Sequence, residues 1–243
     1  MPAFNEEDTI QEIVANTLIV PELAELIIVD DCSTDKTAEI AKSLSDAHSN
    51  ITLIRNQRNL GKTESIKRAF AVTKGEVVIV QDADLEYDPS EISKVIAPII
   101  AGRADIVYGV RFSRHSPLDI AYYLHYLANR AITLFSNILS GQKLSDIQTC
   151  YIAFRGDLIR SMIITSKHFG FEVEATAKLS KLKIPIVEVP ISYKARTYGA
   201  GKKLARVHGF AALWYIFKYN MLVGRKDSFR SAGNGTGGIE DSR

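Results

Sequence analysis

The chain has 243 residues, 46% of them hydrophobic and 24% charged, an ordinary globular composition long enough to bury a full core as one large domain. Only Cys32 and Cys150 are present, which excludes a disulfide scaffold and offers no paired zinc spacing, so a reducing, cytosolic compartment is expected. The net charge of +2 conceals an asymmetry: residues 1–180 carry 18 Lys/Arg against 24 Asp/Glu, and residues 181–230 carry 11 against 2, so the basic quarter is expected to face an anionic partner.

Short apolar runs alternate with helical patterns through the first 110 residues. Leu26–Val29, Ile51–Ile54, Val77–Val80 and Ile106–Tyr108 read as buried strands, with helices near 6–16, 35–44, 62–73 and 90–101 between them. Strands apolar on both faces predict a mostly parallel sheet covered by helices, with ligands at the strands' carboxyl ends. The pattern then changes to a long helix at about 118–140, a strand near 148–154, a helix after Phe171, a strand over 184–191 and a last helix at about 204–222. The last helix carries an apolar face of Phe210, Leu213, Trp214 and Phe217, which suits packing on its own domain or lying on a membrane. Its apolar run is too short for the roughly 20 residues that cross a bilayer. Residues 1–222 are therefore expected to form one domain in two parts, about 1–110 and about 111–222, and residues 223–243 a disordered tail.

The chemistry gathers at strand ends. Asp82, Asp84 and Glu86 leave the third of these strands, and carboxylates two apart on an extended backbone point the same way, which suits one Mg²⁺ or Mn²⁺ shared with substrate phosphates. Asp30 and Asp31 leave the first, where carboxylates can accept hydrogen bonds from a ribose or a base, while Thr34 or Asp35 caps the next helix. The sequence Asn59-Leu60-Gly61-Lys62-Thr63 lacks the first glycine of a phosphate loop, yet Gly61 and Lys62 offer a helix N-terminus and a cation to a diphosphate. Arg111, Arg196, Lys202 and the mid-helix Arg130 supply cations for phosphate oxygens, and the charge of Arg130 must find a carboxylate or a ligand anion. Glu172 and Glu174 sit near a helix start, where the dipole favours acids without any catalytic role. The five histidines are scattered singly and suggest no metal site.

In order and spacing these motifs resemble the family 2 glycosyltransferases of the GT-A fold, and among them the polyprenyl-phosphate sugar synthases, over about residues 2–220. Pro2-Ala3-Phe4-Asn5-Glu6, Val29-Asp30-Asp31-Cys32-Ser33-Thr34-Asp35, Asn59-Leu60-Gly61-Lys62, Asp82-Ala83-Asp84, Gly109-Val110-Arg111-Phe112, Asp146-Ile147-Gln148-Thr149-Cys150, Phe171-Glu172-Val173-Glu174 and Arg196 with Gly201-Lys202-Lys203 carry the resemblance. Cys32 stands where that family has Gly, and Glu86 where relatives often have Gln. The resemblance implies an inverting, metal-dependent hexosyltransferase that uses a nucleotide-diphosphate sugar and a polyprenyl phosphate, peripheral on the cytoplasmic face of a membrane, with no nucleic-acid partner. It implies that Pro2, Phe4, Glu6, Asp31, Lys62 and Asp82 hold the donor, and that Asp84 with Glu86 and Asp82 holds Mg²⁺ or Mn²⁺. Arg111, Arg130 and Arg196 would grip phosphates, with Lys202, Glu172 and Glu174 on the acceptor side. A saccharide hydroxyl acceptor would instead require a carboxylate base, Glu172 or Glu174, and a silent nucleotide-binding module is the alternative outside enzymes. The family's first apolar strand has no counterpart before Pro2, so a gap in the sheet is expected, or another segment filling it.

Overall fold

The computed structural model describes residues 1–111, 120–194 and 207–230. Strands β1 (Pro2–Ala3), β2 (Leu26–Asp30) and β3 (Ile51–Arg55) pair in parallel in the order β1-β2-β3. Strands β4 (Val77–Ile79), β5 (Ile106–Val110), β6 (Ile152–Arg155) and β7 (Val187–Pro190) form a second sheet in the order β4-β6-β5-β7. There β5 and β7 are parallel, and β6 runs antiparallel to both β4 and β5. Helices α1 (Ile10–Leu18), α2 (Thr37–Ala47), α3 (Lys62–Val72) and α4 (Ile92–Ile100) connect the early strands. The later helices are α5 (Ile120–Ser140), α6 (Gly156–Ser161), α7 (Phe171–Ser180) and α8 (Val207–Phe217), the last running into a π-helical turn at Lys218–Leu222.

The alternation read from the sequence is the alternation observed, because its two periods are those of buried parallel strands and one-sided helices. Ile10, Ile13, Val14 and Thr17 bury one stripe of α1 on β1–β3, and every residue of β2 and β5 is buried. The expected gap appears as a division between the two sheets, with β4 at the edge of one and β1, a strand of two residues, at the edge of the other. The α-amino group of Met1 donates to Ile27 O at 2.7 Å, Val29 N–H to Met1 O at 2.9 Å and Asp31 N–H to Ala3 O at 2.8 Å. Pro2 costs no ladder bond at such an edge. Burial pushes the pKa of the Met1 amine down to about 5, with Asp82 opposing the shift and Lys62 adding to it.

The expected disordered tail is corrected for its first eight residues. Phe229 bridges Met162, Ile163 N–H donates to Ser228 O at 2.9 Å, Arg230 N–H donates to Ser161 O at 2.8 Å, and Ser228 is buried. Local composition gave no sign of these contacts with a distant segment. Residues 231–243 lie outside the described residues.

Helix α7 is enclosed: every residue from Phe171 to Leu179 is buried, including Glu172, Glu174 and Lys178. It lies in the largest core cluster with Phe154, Ile132 of α5 and Ile216 of α8. Charges placed there need partners.

Candidate active site

The loops after β1, β2 and β4 meet at the carboxyl ends of their strands. Asn5 takes a left-handed turn (φ 53°), which lets its N–H donate to Ser33 Oγ at 3.0 Å and its Oδ1 accept from Thr34 N–H at 2.9 Å. Glu6 N–H donates to Thr37 Oγ1 at 2.7 Å, and the Glu7 carboxylate accepts from Lys36 N–H at 2.9 Å. Thr9 Oγ1 bridges Glu6 Oε2 and Ala83 O, both at 3.0 Å, tying the first loop to the Asp82–Asp84 segment. Asp35 Oδ1 accepts from Thr37 N–H at 3.0 Å, while the cap position of α2 is Lys36 rather than the expected Thr34 or Asp35.

Asp31 is buried and its carboxylate is largely filled by the protein. Oδ1 accepts from Asn56 Nδ2 at 2.6 Å and from Leu60 N–H at 2.8 Å, and Oδ2 accepts from Gly61 N–H at 2.7 Å. The structure therefore places Asp31, an expected ribose or base ligand, as the clamp of the 56–61 loop. Asp30 is buried beside it, 3.2 Å from Arg55 Nε.

The start of α3 is also closed. Thr63 N–H and Oγ1 both donate to His168 O, at 2.8 and 2.9 Å. Gly61 permits this approach: its φ is +88°, and a Cβ there would lie 3.0 Å from His168 Cα. The helix N-terminus expected to cradle a diphosphate is thus capped by protein. Lys62 turns inward, its ammonium 2.8 Å from Asp82 Oδ1, 2.8 Å from Cys150 Sγ and 3.4 Å from Glu172 Oε1. Burial works against the lysine charge, but the carboxylates of Asp82 and Glu172 hold its pKa well above the usual lysine range. Burial likewise pushes the Asp82 carboxyl up, and Lys62, the Cys150 thiol and the Met1 amine together more than reverse that, so Asp82 titrates below the ordinary range. Burial and then Asp82 push the Cys150 thiol up, keeping it protonated.

At the end of β5, Gly109 allows tight packing, since a Cβ there would lie 2.8 Å from Ile191 Cδ1 and 3.0 Å from Tyr151 Cβ. Arg111 follows, and its guanidinium forks onto Asp146, Nε to Oδ2 at 2.7 Å and Nη2 to Oδ1 at 2.9 Å. Asn129 of α5 donates to the same Oδ1 at 2.9 Å. Burial disfavours the guanidinium charge, and Asp146 together with Tyr87 and Tyr193 outweighs this and holds the Arg111 pKa well above its usual value. The guanidinium also lies over the Tyr193 ring, 5.2 Å from its centroid. Tyr193 packs on Tyr87, which stacks on Tyr151 at 4.9 Å, and Tyr87 Oη accepts from Cys150 N–H at 3.1 Å. These tyrosines, which follow β4, precede β6 and follow β7, pack together beside Arg111. Tyr87, Tyr151 and Asn129 carry no local signal in the sequence, since each owes its place here to partners distant in the chain.

The sequence model of glycosyl transferase family 2 matches residues 1–162. The chain belongs to that family. The undecaprenyl-phosphate 4-deoxy-4-formamido-L-arabinose transferase of Pectobacterium carotovorum subsp. carotovorum strain PC1 is 27% identical over 207 residues, covering 83% of this chain and 61% of that protein. The protein of the same description from Edwardsiella ictaluri strain 93-146 is 26% identical with the same coverage. The chain thus spans 61% of the length of these curated relatives. Glucosyl-3-phosphoglycerate synthase of Mycobacterium tuberculosis, solved with uridine diphosphate, superposes with a TM-score of 0.69 at 20% identity, covering 90% of this chain and 77% of that one. Its complex with Mn²⁺, uridine diphosphate and glucosyl-3-phosphoglycerate gives 0.69 at 18% identity with the same coverage. At such identities the likeness establishes the fold, which is GT-A.

In this family 2 chain the expected three-carboxylate metal site does not close. Among the described residues no three His, Cys, Asp or Glu side chains come together to hold an ion. The alternation argument fails because β4 ends at Ile79 and residues 83–87 bend, so Asp82, Asp84 and Glu86 do not share one extended face. Asp82 is held by Lys62, and Glu86 Oε2 accepts from Tyr193 Oη at 2.8 Å. Asp84, half-buried, accepts from Glu86 N–H through Oδ1 at 3.1 Å. Mg²⁺ and Mn²⁺ still fit this hard oxygen donor, since such ions are commonly held by one or two carboxylates plus substrate phosphates.

The remaining expected residues are separated by the fold. Arg130 lies on the exposed face of α5, with no carboxylate paired to it among the described residues, while its neighbour Asn129 is the residue that points to Asp146. Glu174 is fully buried, accepting from Thr165 N–H at 2.9 Å, Ser166 N–H at 2.7 Å and Lys178 Nζ at 2.6 Å. Pro2, Phe4 and Glu6 stay half-buried beside the β2 loop. Arg196 and Lys202 lie outside the described residues.

Proposed function

We propose that this chain transfers a hexose from a nucleoside-diphosphate sugar, of the GDP-mannose or UDP-glucose type, to a polyprenyl phosphate, with inversion and on the cytoplasmic face of a membrane. The observation that carries this reading is the state of the two candidate bases. Glu174 is enclosed by its own hydrogen bonds, and Glu172 lies against the Lys62 ammonium, where its charge is neutralised. An acceptor that must lose a proton is poorly served by these groups. A phosphate monoester has a second pKa of about 6, so its oxygen is largely ionised at neutral pH and attacks without a base. The undecaprenyl-phosphate transferases similar to this chain support the same acceptor class.

In this reading Asp84 would hold Mg²⁺ or Mn²⁺ together with the donor diphosphate, and the ion would neutralise the departing charge. Lys62 fixes Asp82 at the floor of the cleft. Asp146 and Tyr193 fix the orientation of the Arg111 guanidinium at the end of β5, so it needs no reorganisation when an acceptor phosphate arrives. The protein's contribution is alignment and charge neutralisation.

The test incubates the full chain with labelled nucleotide sugars and either polyprenyl phosphate or a saccharide, with Mn²⁺ or with chelator. Label is expected in the lipid, to depend on the ion, and to fall by about 10²-fold or more in Asp84→Ala. Transfer to the saccharide alone would refute the acceptor assignment, and full activity of Asp84→Ala would refute the metal assignment.

A further inference from the structure

Residues 141–151 carry no helix or strand, yet this segment holds Asp146, which is completely buried. An irregular buried segment has no ladder to take its backbone groups, so side chains must take them. Helix α5 supplies three at one-turn spacing, Asn129, Thr133 and Asn137. Asn137 accepts from Leu144 N–H at 3.1 Å and donates to Leu144 O at 2.8 Å, and Thr133 Oγ1 accepts from Ile147 N–H at 3.4 Å. Asn129 Nδ2 donates to Asp146 Oδ1 at 2.9 Å. Glu188 of β7 accepts from Ser145 N–H at 2.6 Å and from its hydroxyl at 2.9 Å, so the segment is held from α5 and from β7 together.

Asn129 differs from the other two members of this stripe. Thr133 and Asn137 satisfy backbone groups, whereas Asn129 meets a carboxylate that already accepts from Arg111 Nε, Arg111 Nη2 and Gln148 N–H. Asp146 therefore has partners without it. Asn129 is itself buried, and its Oδ1 has no hydrogen-bond partner among the described residues. An acceptor buried without a partner costs stability, so packing alone would favour an apolar side chain at this position. What the amide adds is direction. It meets Oδ1, the oxygen that also takes Arg111 Nη2, from a second element, and so sets the plane of the carboxylate and of the guanidinium forked onto it. The Arg111 side chain keeps 12% of its surface exposed and that of Asp146 none, so of the two only the guanidinium can reach a ligand.

We infer that Asn129 is a positioning residue for the acceptor phosphate, acting through Asp146 to orient the Arg111 guanidinium that receives it. The inference rests on the polyprenyl-phosphate reading and adds to it a residue that acts at one remove from the substrate. A guanidinium turned out of plane keeps its charge and loses its bidentate match to phosphate oxygens, so the loss falls on the acceptor and spares the donor.

Initial rates of transfer from labelled nucleotide sugar to detergent-dispersed polyprenyl phosphate test this in the full 243-residue chain. Asn129→Leu and the smaller Asn129→Ala should each raise the acceptor KM by about fivefold or more. Donor KM, and donor binding by calorimetry, should stay within about twofold, which a general disturbance of the fold would not spare. Arg111→Lys keeps the charge and loses the fork, so in that background Asn129→Leu should move the acceptor KM by less than about twofold. The Arg111 Nε–H resonance in heteronuclear NMR, assigned by its loss in Arg111→Lys, should shift or broaden in Asn129→Leu. Circular dichroism checks that each variant is folded. An unchanged acceptor KM in a folded Asn129 variant overturns the inference, as does an equal loss in the Arg111→Lys background or an Arg111 resonance that Asn129→Leu leaves untouched. Transfer by the wild-type chain to a saccharide alone refutes the polyprenyl-phosphate reading; the inference fails separately, when polyprenyl phosphate accepts the sugar and its KM ignores Asn129.

Discussion

Replacing Glu174 by Gln separates a structural carboxylate from a reacting one. The Glu174 carboxylate takes two backbone N–H groups, from Thr165 at 2.9 Å and Ser166 at 2.7 Å, the Thr165 hydroxyl at 3.0 Å and the Lys178 ammonium at 2.6 Å. Both members of the ion pair are completely buried. Gln offers one acceptor oxygen and turns an NH₂ towards groups that are themselves donors, so at least one donor loses its partner. It also leaves Lys178 buried without a counter-ion. Breaking one side of a buried pair costs about 3–5 kcal/mol, and the lost charged hydrogen bonds are part of that cost. In urea, with a slope near the upper end of about 1–3 kcal/mol/M for a chain of this size, the midpoint should fall by at least about 1 M. Lys178→Met should fall similarly, and the double change Glu174→Leu with Lys178→Met should recover much of the loss, because no unpaired charge remains. Turnover per folded molecule should stay within about twofold of wild type. A Glu174→Gln protein that unfolds within about 1 kcal/mol of wild type yet loses sugar transfer would show that this carboxylate works on the substrate, and the argument from burial would fail.

Two other perturbations follow from single observations. Cys32 sits at φ 62°, a left-handed conformation that costs a side-chain-bearing residue about 1–2 kcal/mol and a glycine nothing. Part of that is offset by the greater freedom of Gly when unfolded, so Cys32→Gly should raise the melting temperature by about 1–2 °C, and a lower one contradicts the assignment of strain. For Asp146, burial raises the carboxyl pKa and Arg111 and Asn129 more than reverse it, leaving the folded value below the unfolded value of about 3.9. A depressed folded pKa contributes stability that is complete above about pH 4 and is lost as pH falls through the folded value. Asp146→Asn should therefore flatten the unfolding free energy below about pH 4, and an unchanged acid slope in chemical denaturation would count against the pair.

Much of this molecule was legible in one dimension because two physical regularities are local. Buried strands must be apolar on both faces, and one-sided helices must repeat their apolar residues every turn, so β2, β3, β5, α1 and α5 could be placed from periodicity. Strand ends rich in Asp marked the cleft for the same reason: a carboxylate leaving a buried strand needs either water or a partner. What could not be read was which partner each carboxylate takes. Asp31 and Asp84 look alike in sequence, yet donors from the 56–61 loop, about 30 residues away, fill Asp31. Glu172 and Glu174 are two apart on one helix start. The helical turn sends the first to Lys62 and the second to Thr165, Ser166 and Lys178. Arg130 and Asn129 are adjacent, and the rotation of α5 alone decides that Asn129 meets Asp146 while Arg130 meets solvent. The sequence by itself determined the family, the layered architecture and the strand ends where chemistry gathers, since composition and period act along the chain. Only the tertiary structure decided which charges are neutralised and which apolar faces stay open, because pairing and burial depend on segments that meet in space.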